Sequence, residues 1–118
     1  MLNKNEINSE LDKLDGWVID ENKIVKNIPM HNWKGVLMLA NTIAHLSEVA
    51  WHHPDLILTY SSITINLTSH DADGLTMKDF DLAKKIDEVI GWNPRKDGGS
   101  LTGLYRITKE KLEVLHLK

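Results

Sequence analysis

The 118-residue sequence contains no cysteine and no long apolar run. Without cysteine, the chain can form no disulfide and has no thiolate for nucleophilic or redox chemistry. No apolar stretch approaches the roughly 20 residues of a membrane-spanning helix. The first six residues lack the apolar core of a signal peptide, and no glycine-rich nucleotide-binding motif is present. These absences lead us to expect a cytoplasmic protein that uses no nucleotide cofactor.

The sequence also has fewer basic residues than acidic ones. Lysine and arginine number 14 against 17 aspartates and glutamates, which gives a formal net charge of −3. Neither nucleic acid nor an anionic membrane is therefore favoured as a direct partner. The hydrophobic share of 42% and the charged share of 26% are ordinary for a globular protein. The length suits a single domain over 1–118.

The first half of the chain predicts a helix, two strands and a second helix. Ile7, Leu11 and Leu14 recur at helical spacing within 4–14, where Asn3 or Asn5 can cap the helix. Two short apolar stretches, 17–19 and 23–28, predict strands joined by a polar turn at 20–22. A further helix runs from about Trp33 to Trp51 after a capping Asn32, and it is apolar on more than one side. Such a helix is usually covered on more than one side. We expect the sheet to be one cover, and a partner subunit is a candidate for the other.

The second half predicts a hairpin and a third helix. Alternating apolar residues over 56–60 and 63–68 indicate two strands that turn at Ser61 and Ser62. Thr76 and Asp79 form a variant capping box that opens a helix to about Ile90, and Gly91 ends it. Residues 91–118 form a C-terminal extension with a loop at 93–100, a short strand at 101–107 and a helix at 108–117. We therefore expect an α+β fold, a four-stranded antiparallel sheet with helices on one face in the order α-β-β-α-β-β-α.

Three of the six histidines lie beside this hairpin. His52 and His53 precede its first strand and His70 follows its second, so all three meet at one end of the sheet. Pro54 disfavours helical geometry for His53, so the helix is expected to end near His52 or His53 and the two rings to diverge. Glu48 lies four residues before His52 and would share its helix face. Histidine can donate or accept a proton near neutral pH, which makes this group the main chemical signal.

A long spaced motif resembles the pterin-4a-carbinolamine dehydratase family. It reads Glu48-x-x-x-His52-His53-Pro54, then Tyr60, then Thr68-Ser69-His70-x-x-x-Gly74-Leu75-Thr76-x-x-Asp79-x-x-Leu82-Ala83, with Gly16-Trp17 upstream. The resemblance implies dehydration of 4a-hydroxytetrahydropterin to quinonoid dihydropterin. It also implies assembly as a homodimer or homotetramer. Some members of the family act as transcriptional coactivators or assembly factors without this activity.

The resemblance also assigns roles to single residues. It implies that His52, His53 and His70 are catalytic and contact the substrate, with no metal or redox cofactor. His52 and His70 are expected nearest the two proton transfers, and His53 is expected to hold the pterin. Orienting or binding roles fall to four further residues, namely Glu48, Asp79, Trp17 and Pro54.

Plainer interpretations stand beside these roles. Glu48 and His52 can be an ordinary surface helix pair, Asp79 can serve only the capping box, and Trp17 can be a core anchor. A zinc site is an alternative for the histidines, although adjacent histidines make an awkward ligand pair. The other functional class is a binding or assembly protein that keeps the fold and uses its surfaces.

Overall fold

A computed structural model describes residues 1–103 of the chain. Three helices, α1 (Lys4–Leu11), α2 (Trp33–Ala50) and α3 (Met77–Ile90), accompany four strands, β1 (Val18–Asp20), β2 (Lys23–Pro29), β3 (Asp55–Thr59) and β4 (Ser62–Leu67). Short 3-10 helices cover His70–Ala72 and Pro94–Asp97. The predicted order α-β-β-α-β-β-α is confirmed.

The four strands form one antiparallel sheet in the order β1-β2-β4-β3. In β4 the apolar side chains alternate with polar ones, so Ile63, Ile65 and Leu67 are buried while the residues between them are half-buried. β2 follows the same alternation opposite them, with Ile24 paired to Leu67 and Ile28 paired to Ile63, and the buried Lys26 lies between these two isoleucines on the same face. Apart from Lys26, this face of the sheet is apolar, and α2 and α3 cover it.

The core lies between that face and the two long helices. α2 contributes Val36, Leu39 and Ile43, and α3 contributes Phe80 and Ile86, all buried in one cluster with the sheet isoleucines. Asn32 caps α2 by accepting a hydrogen bond from the Gly35 backbone N–H at 2.8 Å, as its sequence position predicts. No helix within residues 1–103 is long and apolar enough to cross a membrane.

The boundaries differ from the predictions by a few residues, and β1 begins one residue later and β2 ends one residue later than predicted. α1 ends at Leu11, before the last apolar residue of its pattern, Leu14, which still packs against the core from a turn. α2 ends at Ala50, because Trp51 adopts a left-handed backbone conformation. β3 and β4 each lie one residue earlier than predicted, so Tyr60 and Ser61 form the turn.

The C-terminal extension is described only in part. Residues 93–100 include the short 3-10 helix Pro94–Asp97 where a loop was predicted. Residues 101–103 have no regular structure, and the rest of the strand predicted at 101–107 lies outside the described residues. The helix predicted at 108–117 also lies outside them.

Candidate active site

The three histidines beside the hairpin line one pocket. This histidine pocket has a volume of about 250 Å³ and is bounded by Trp51, His52, His53, Thr68, His70 and Asp71. His52 and His53 follow the end of α2, and His70 begins the 3-10 helix that follows β4. The antiparallel pairing of β3 with β4 places these two chain positions at the same end of the sheet. The pocket therefore gathers three imidazoles from two separate segments.

His52 is held by a buried carboxylate. Its Nε2 lies 2.6 Å from Oδ1 of Asp79, whose side chain is fully buried, while the imidazole itself is 14% exposed. An ionised carboxylate only accepts hydrogen bonds, so Nε2 donates and carries the proton. Nδ1 is then the ring nitrogen of His52 available to a ligand. Asp79 thus fixes both the orientation and the tautomer of this ring.

The second oxygen of Asp79 organises the loop that carries His70. Asp79 Oδ2 accepts hydrogen bonds from the Ser69 hydroxyl at 2.9 Å and from the Thr76 backbone N–H at 3.0 Å. Ser69 is buried, and its backbone exchanges two hydrogen bonds with Gly74, which closes the loop around His70. Asp79 therefore connects His52 directly, and His70 through its neighbour Ser69, to the first turn of α3.

Asp79 combines the two roles that its sequence position left open. With Thr76 it forms the predicted capping box at the start of α3. The same carboxylate is the hydrogen-bond partner of His52. The capping spacing reveals the first role. The second joins residues 27 positions apart and follows only from the way α3 packs beside the end of α2.

His53 has a more exposed environment. Its Nε2 lies 2.9 Å from Oε1 of Glu48, and the two side chains are 50% and 70% exposed. Glu48 therefore pairs with His53, and the expected pairing of Glu48 with His52 is wrong. A four-residue spacing aligns two side chains only while the helix continues, and α2 ends before His52 is reached. The ring of His53 also meets the Trp51 indole edge-on, with ring centroids 5.0 Å apart.

Two other residues singled out in the sequence, Trp17 and Pro54, do not bound the histidine pocket. Trp17 is buried in the core, where its indole N–H donates to both oxygens of Asp87 at 3.0 and 3.2 Å. It is not among the residues that bound the histidine pocket, so its contact with a pterin stays a prediction. Pro54 is half-buried and stands directly before β3, where it turns the chain into the sheet.

The donor arrangement bears on the zinc alternative. Within residues 1–103, no three histidine, aspartate or glutamate side chains converge as a group that could hold a metal ion. His52 and His53 instead point their Nε2 atoms at different carboxylates, Asp79 and Glu48.

Sequence comparison identifies the family. The family model described as pterin 4 alpha carbinolamine dehydratase matches residues 1–89. The chain belongs to the pterin-4a-carbinolamine dehydratase family. Two curated relatives carry the name "Putative pterin-4-alpha-carbinolamine dehydratase". One, from Aquifex aeolicus, is 40% identical over 89 residues, which cover 75% of this chain and 90% of the relative. The other, from Roseiflexus castenholzii, is 41% identical over 90 residues, which cover 76% and 97%.

Solved structures share the fold of this family member. A transcriptional coactivator/pterin dehydratase from Brucella melitensis aligns with a TM-score of 0.71 and 24% identity, over 75% of this chain and 96% of that one. A pterin dehydratase-like protein described as a RuBisCO assembly factor in the alpha-carboxysome aligns with a TM-score of 0.56 and 16% identity, over 67% and 94%. At these identities the alignments support the fold alone.

Four residues that bound or support the pocket were not singled out as site residues in the sequence, namely Trp51, Thr68, Asp71 and Ser69. Ser69 lies inside the quoted motif, yet its hydrogen bond to Asp79 depends on the closed loop and leaves no periodic signal. Thr68 and Asp71 bound the pocket because they flank the end of β4 and the start of the short 3-10 helix. Their position next to His70 is the signal that could have found them.

Proposed function

We propose that the protein dehydrates 4a-hydroxytetrahydropterin to quinonoid dihydropterin and water in tetrahydrobiopterin recycling. The observation that supports this proposal most strongly is the grouping of three histidines around one pocket, one of them held by a buried aspartate. Membership of the dehydratase family supplies the reaction class.

The reaction consists of two proton movements. The hydroxyl on C4a leaves as water after an acid donates a proton to it. The lone pair of the adjacent ring nitrogen forms the C=N bond, and that nitrogen gives up its own proton to a base. No electrons enter or leave the pterin, so the chemistry requires no oxidant or reductant. Two positioned imidazoles can supply the acid and the base.

His52 and His70 are the two residues to which we assign these proton transfers. Asp79 holds Nε2 of His52, which leaves its Nδ1 to exchange a proton with the substrate. His70 is exposed at the start of its loop, and no side-chain partner of its ring is present within residues 1–103. His53, braced by Glu48 and Trp51, is assigned to holding the pterin.

Alanine substitution of the histidines tests the proposal. His52→Ala and His70→Ala should each slow turnover by about 10²–10⁴-fold, because a positioned acid or base commonly contributes that much. The double variant should lose much less than the product of the two factors, since groups that act in one reaction are not additive. The measurement is the absorbance change on dehydration of 4a-hydroxytetrahydropterin, corrected for the uncatalysed rate.

Two matched controls lie away from the pocket. His31 and His45 are exposed, and their alanine variants should keep the wild-type rate. A folded His70→Ala protein with full activity would remove His70 from the reaction.

A binding or assembly role is the second candidate. It is favoured by apolar side chains that α2 leaves exposed, among them Met38 at 65% and Val49 at 72%. The same exposure supports our proposal of a homodimer or homotetramer, in which a partner subunit covers α2. If the histidine variants lose dehydration but keep every biological activity of the protein, this second function is the relevant one.

A further inference from the structure

Trp51 has an unusual backbone conformation for its residue type. It closes α2 with φ of 55° and ψ of 46°, in the left-handed region. Glycine, asparagine and aspartate adopt this region most readily, whereas a bulky side chain there brings its Cβ too close to the next carbonyl oxygen. Among the described residues 1–103, the two other non-glycine residues with positive φ are Glu21 and Asp73, both polar. The turn at the end of α2 requires the conformation, but nothing in that turn requires an indole.

Burial of the Trp51 side chain does not offset this backbone strain. The Trp51 side chain is 74% exposed, so little of its apolar surface is buried. The one aromatic contact that it makes within residues 1–103 is the edge-on arrangement with His53, at an interplanar angle of 84°. Strained conformations of this kind are typical of functional sites, where an observed outlier can be traced to a role.

The position of the indole indicates that role. Trp51 bounds the histidine pocket together with His52 and His53. It also bounds a neighbouring groove of about 590 Å³ between α2 and α3, which includes Leu46, Leu82 and Lys85. Trp51 and His52 are the two residues common to both cavities. A flat apolar surface therefore stands at the junction, immediately beside the imidazole that Asp79 orients.

We propose that Trp51 is a substrate-binding residue, whose indole stacks on the flat conjugated part of the pterin ring and so selects bicyclic pterins over smaller carbinolamines. This inference rests on the proposed dehydratase function. The remaining residues around the histidine pocket supply imidazole, hydroxyl and carboxylate groups, so Trp51 provides its only large apolar wall within the described residues. The edge-on contact with His53 sets the indole plane at 84° to the imidazole.

The test compares binding, turnover and stability in three variants. Trp51→Asn should raise the KM for the carbinolamine, and the Kd for a tetrahydropterin without the 4a-hydroxyl, by roughly 5- to 150-fold, the range for loss of one stacked ring. Its kcat should stay within about threefold. Trp51→Phe should bind more tightly than Trp51→Asn, because it keeps a ring. Trp33→Asn is the matched control, since Trp33 is an exposed tryptophan at the other end of α2, and its KM should not change.

Stability provides the readout that separates a binding role from a structural one. Trp51→Asn should be as stable as the wild type or more stable, because asparagine tolerates the left-handed conformation. Loss of binding together with unchanged or higher stability supports the proposal. A Trp51→Asn protein with wild-type KM and Kd would overturn it. So would a raised KM that follows a fall in the mass of the assembly, since Trp51 would then belong to a subunit contact.

Tryptophan fluorescence distinguishes failure of this inference from failure of the proposed function. The tetrahydropterin should quench the emission of the wild type and of Trp33→Asn but not that of Trp51→Asn. A wild-type protein that shows this quenching without dehydrating the carbinolamine would contradict the proposed reaction and still support the stacking. A wild-type protein that dehydrates the carbinolamine without quenching through Trp51 would contradict the stacking alone.

Discussion

Helix α3 carries an aspartate in its first turn and another near its end, and the comparison between them separates chemistry from structure. Asp79 accepts hydrogen bonds from His52, Ser69 and the Thr76 backbone. Asp87, about two turns further along, accepts hydrogen bonds from the Lys26 ammonium at 3.0 Å and from the Trp17 indole. Both carboxylates tie α3 to the rest of the fold through several donors.

The partners of the two aspartates differ in what they can exchange. Imidazole gains and loses a proton near neutral pH, whereas an indole N–H does not titrate and a lysine keeps its charge there. His52 borders an open pocket, whereas the Lys26 side chain is 6% exposed and lies in the core. The same hydrogen-bonding arrangement thus becomes a candidate site at one end of α3 and a fixed anchor at the other. The number of hydrogen bonds that each aspartate accepts does not by itself distinguish the two ends.

Asp79→Asn should have the largest effect on turnover of the substitutions at the two ends of α3. The amide keeps one acceptor oxygen but presents an NH₂ group where a second acceptor is needed, so Nε2 of His52 can lose its fixed partner. We expect turnover to fall by about 10- to 100-fold, by analogy with carboxylates that orient the histidine ligands of metal sites. Asp87→Asn is the control and should keep activity within about twofold. Equal activity in the two variants would show that His52 needs no carboxylate.

Substitutions in the pair of Lys26 and Asp87 should change the free energy of unfolding rather than the turnover number. Lys26→Met removes the ammonium and leaves a mostly buried carboxylate with the Trp17 indole alone, which should cost about 1–3 kcal/mol in the free energy of unfolding. Adding Asp87→Asn removes the uncompensated charge while an amide oxygen still accepts from Trp17. The double variant should therefore lose less than the sum of the two single losses.

Urea unfolding of the four proteins measures this coupling. The turnover number of each folded variant should remain near that of the wild type. Strict additivity of the two losses would mean that Lys26 and Asp87 do not stabilise the fold as a pair.

The smallest effect on stability is expected in the middle of α3, where the Lys84 side chain contacts Glu10 of α1. Lys84 donates to Glu10 at 3.0 Å, and Lys13 donates to the same carboxylate at 2.9 Å. The Lys13 hydrogen bond, followed by that of Lys84, lowers the pKa of Glu10. The stability that this shift contributes is present above the ordinary glutamate pKa of about 4.3 and disappears as the pH falls through the lower folded value.

Glu10→Gln tests that contribution. The variant should unfold at slightly lower urea concentration than the wild type at pH 7, and the difference should shrink once the pH falls below the folded pKa. Glu88→Gln, which breaks the exposed pair with Lys85, is the matched control. A difference between Glu10→Gln and the wild type that persists at low pH would point to lost packing rather than lost charge.

Most of the fold could be predicted from the sequence because its signals are local. The alternation of Ile63, Ile65 and Leu67 gives both the strand and its buried face. The caps Asn32 and Thr76 begin their helices where the sequence indicates. Helix ends were harder to predict, because a proline restricts only the residue before it. Pro54 therefore gave no sign that α2 would already stop at Ala50.

The candidate site could be predicted in its members but not in its pairings. The hairpin argument brings His52, His53 and His70 together, since it needs only the positions of two strands. Which carboxylate meets which histidine depends on two or three residues at the end of α2. The left-handed Trp51 turns the chain there, so that His53 meets Glu48 and His52 meets Asp79. A single backbone conformation thus decides the pairing, and no periodicity in the sequence reports it.

The double use of Asp79 has a consequence for motion. Helix ends ordinarily fray, opening and closing their first hydrogen bonds far more often than the whole protein unfolds. In α3 the carboxylate that closes the first turn on Thr76 also holds His52 and Ser69. Fraying at this end would therefore break the Asp79 contacts to His52 and to Ser69 in one event. A fluctuation that is harmless at most helix ends would here also loosen the hydrogen bond that orients His52.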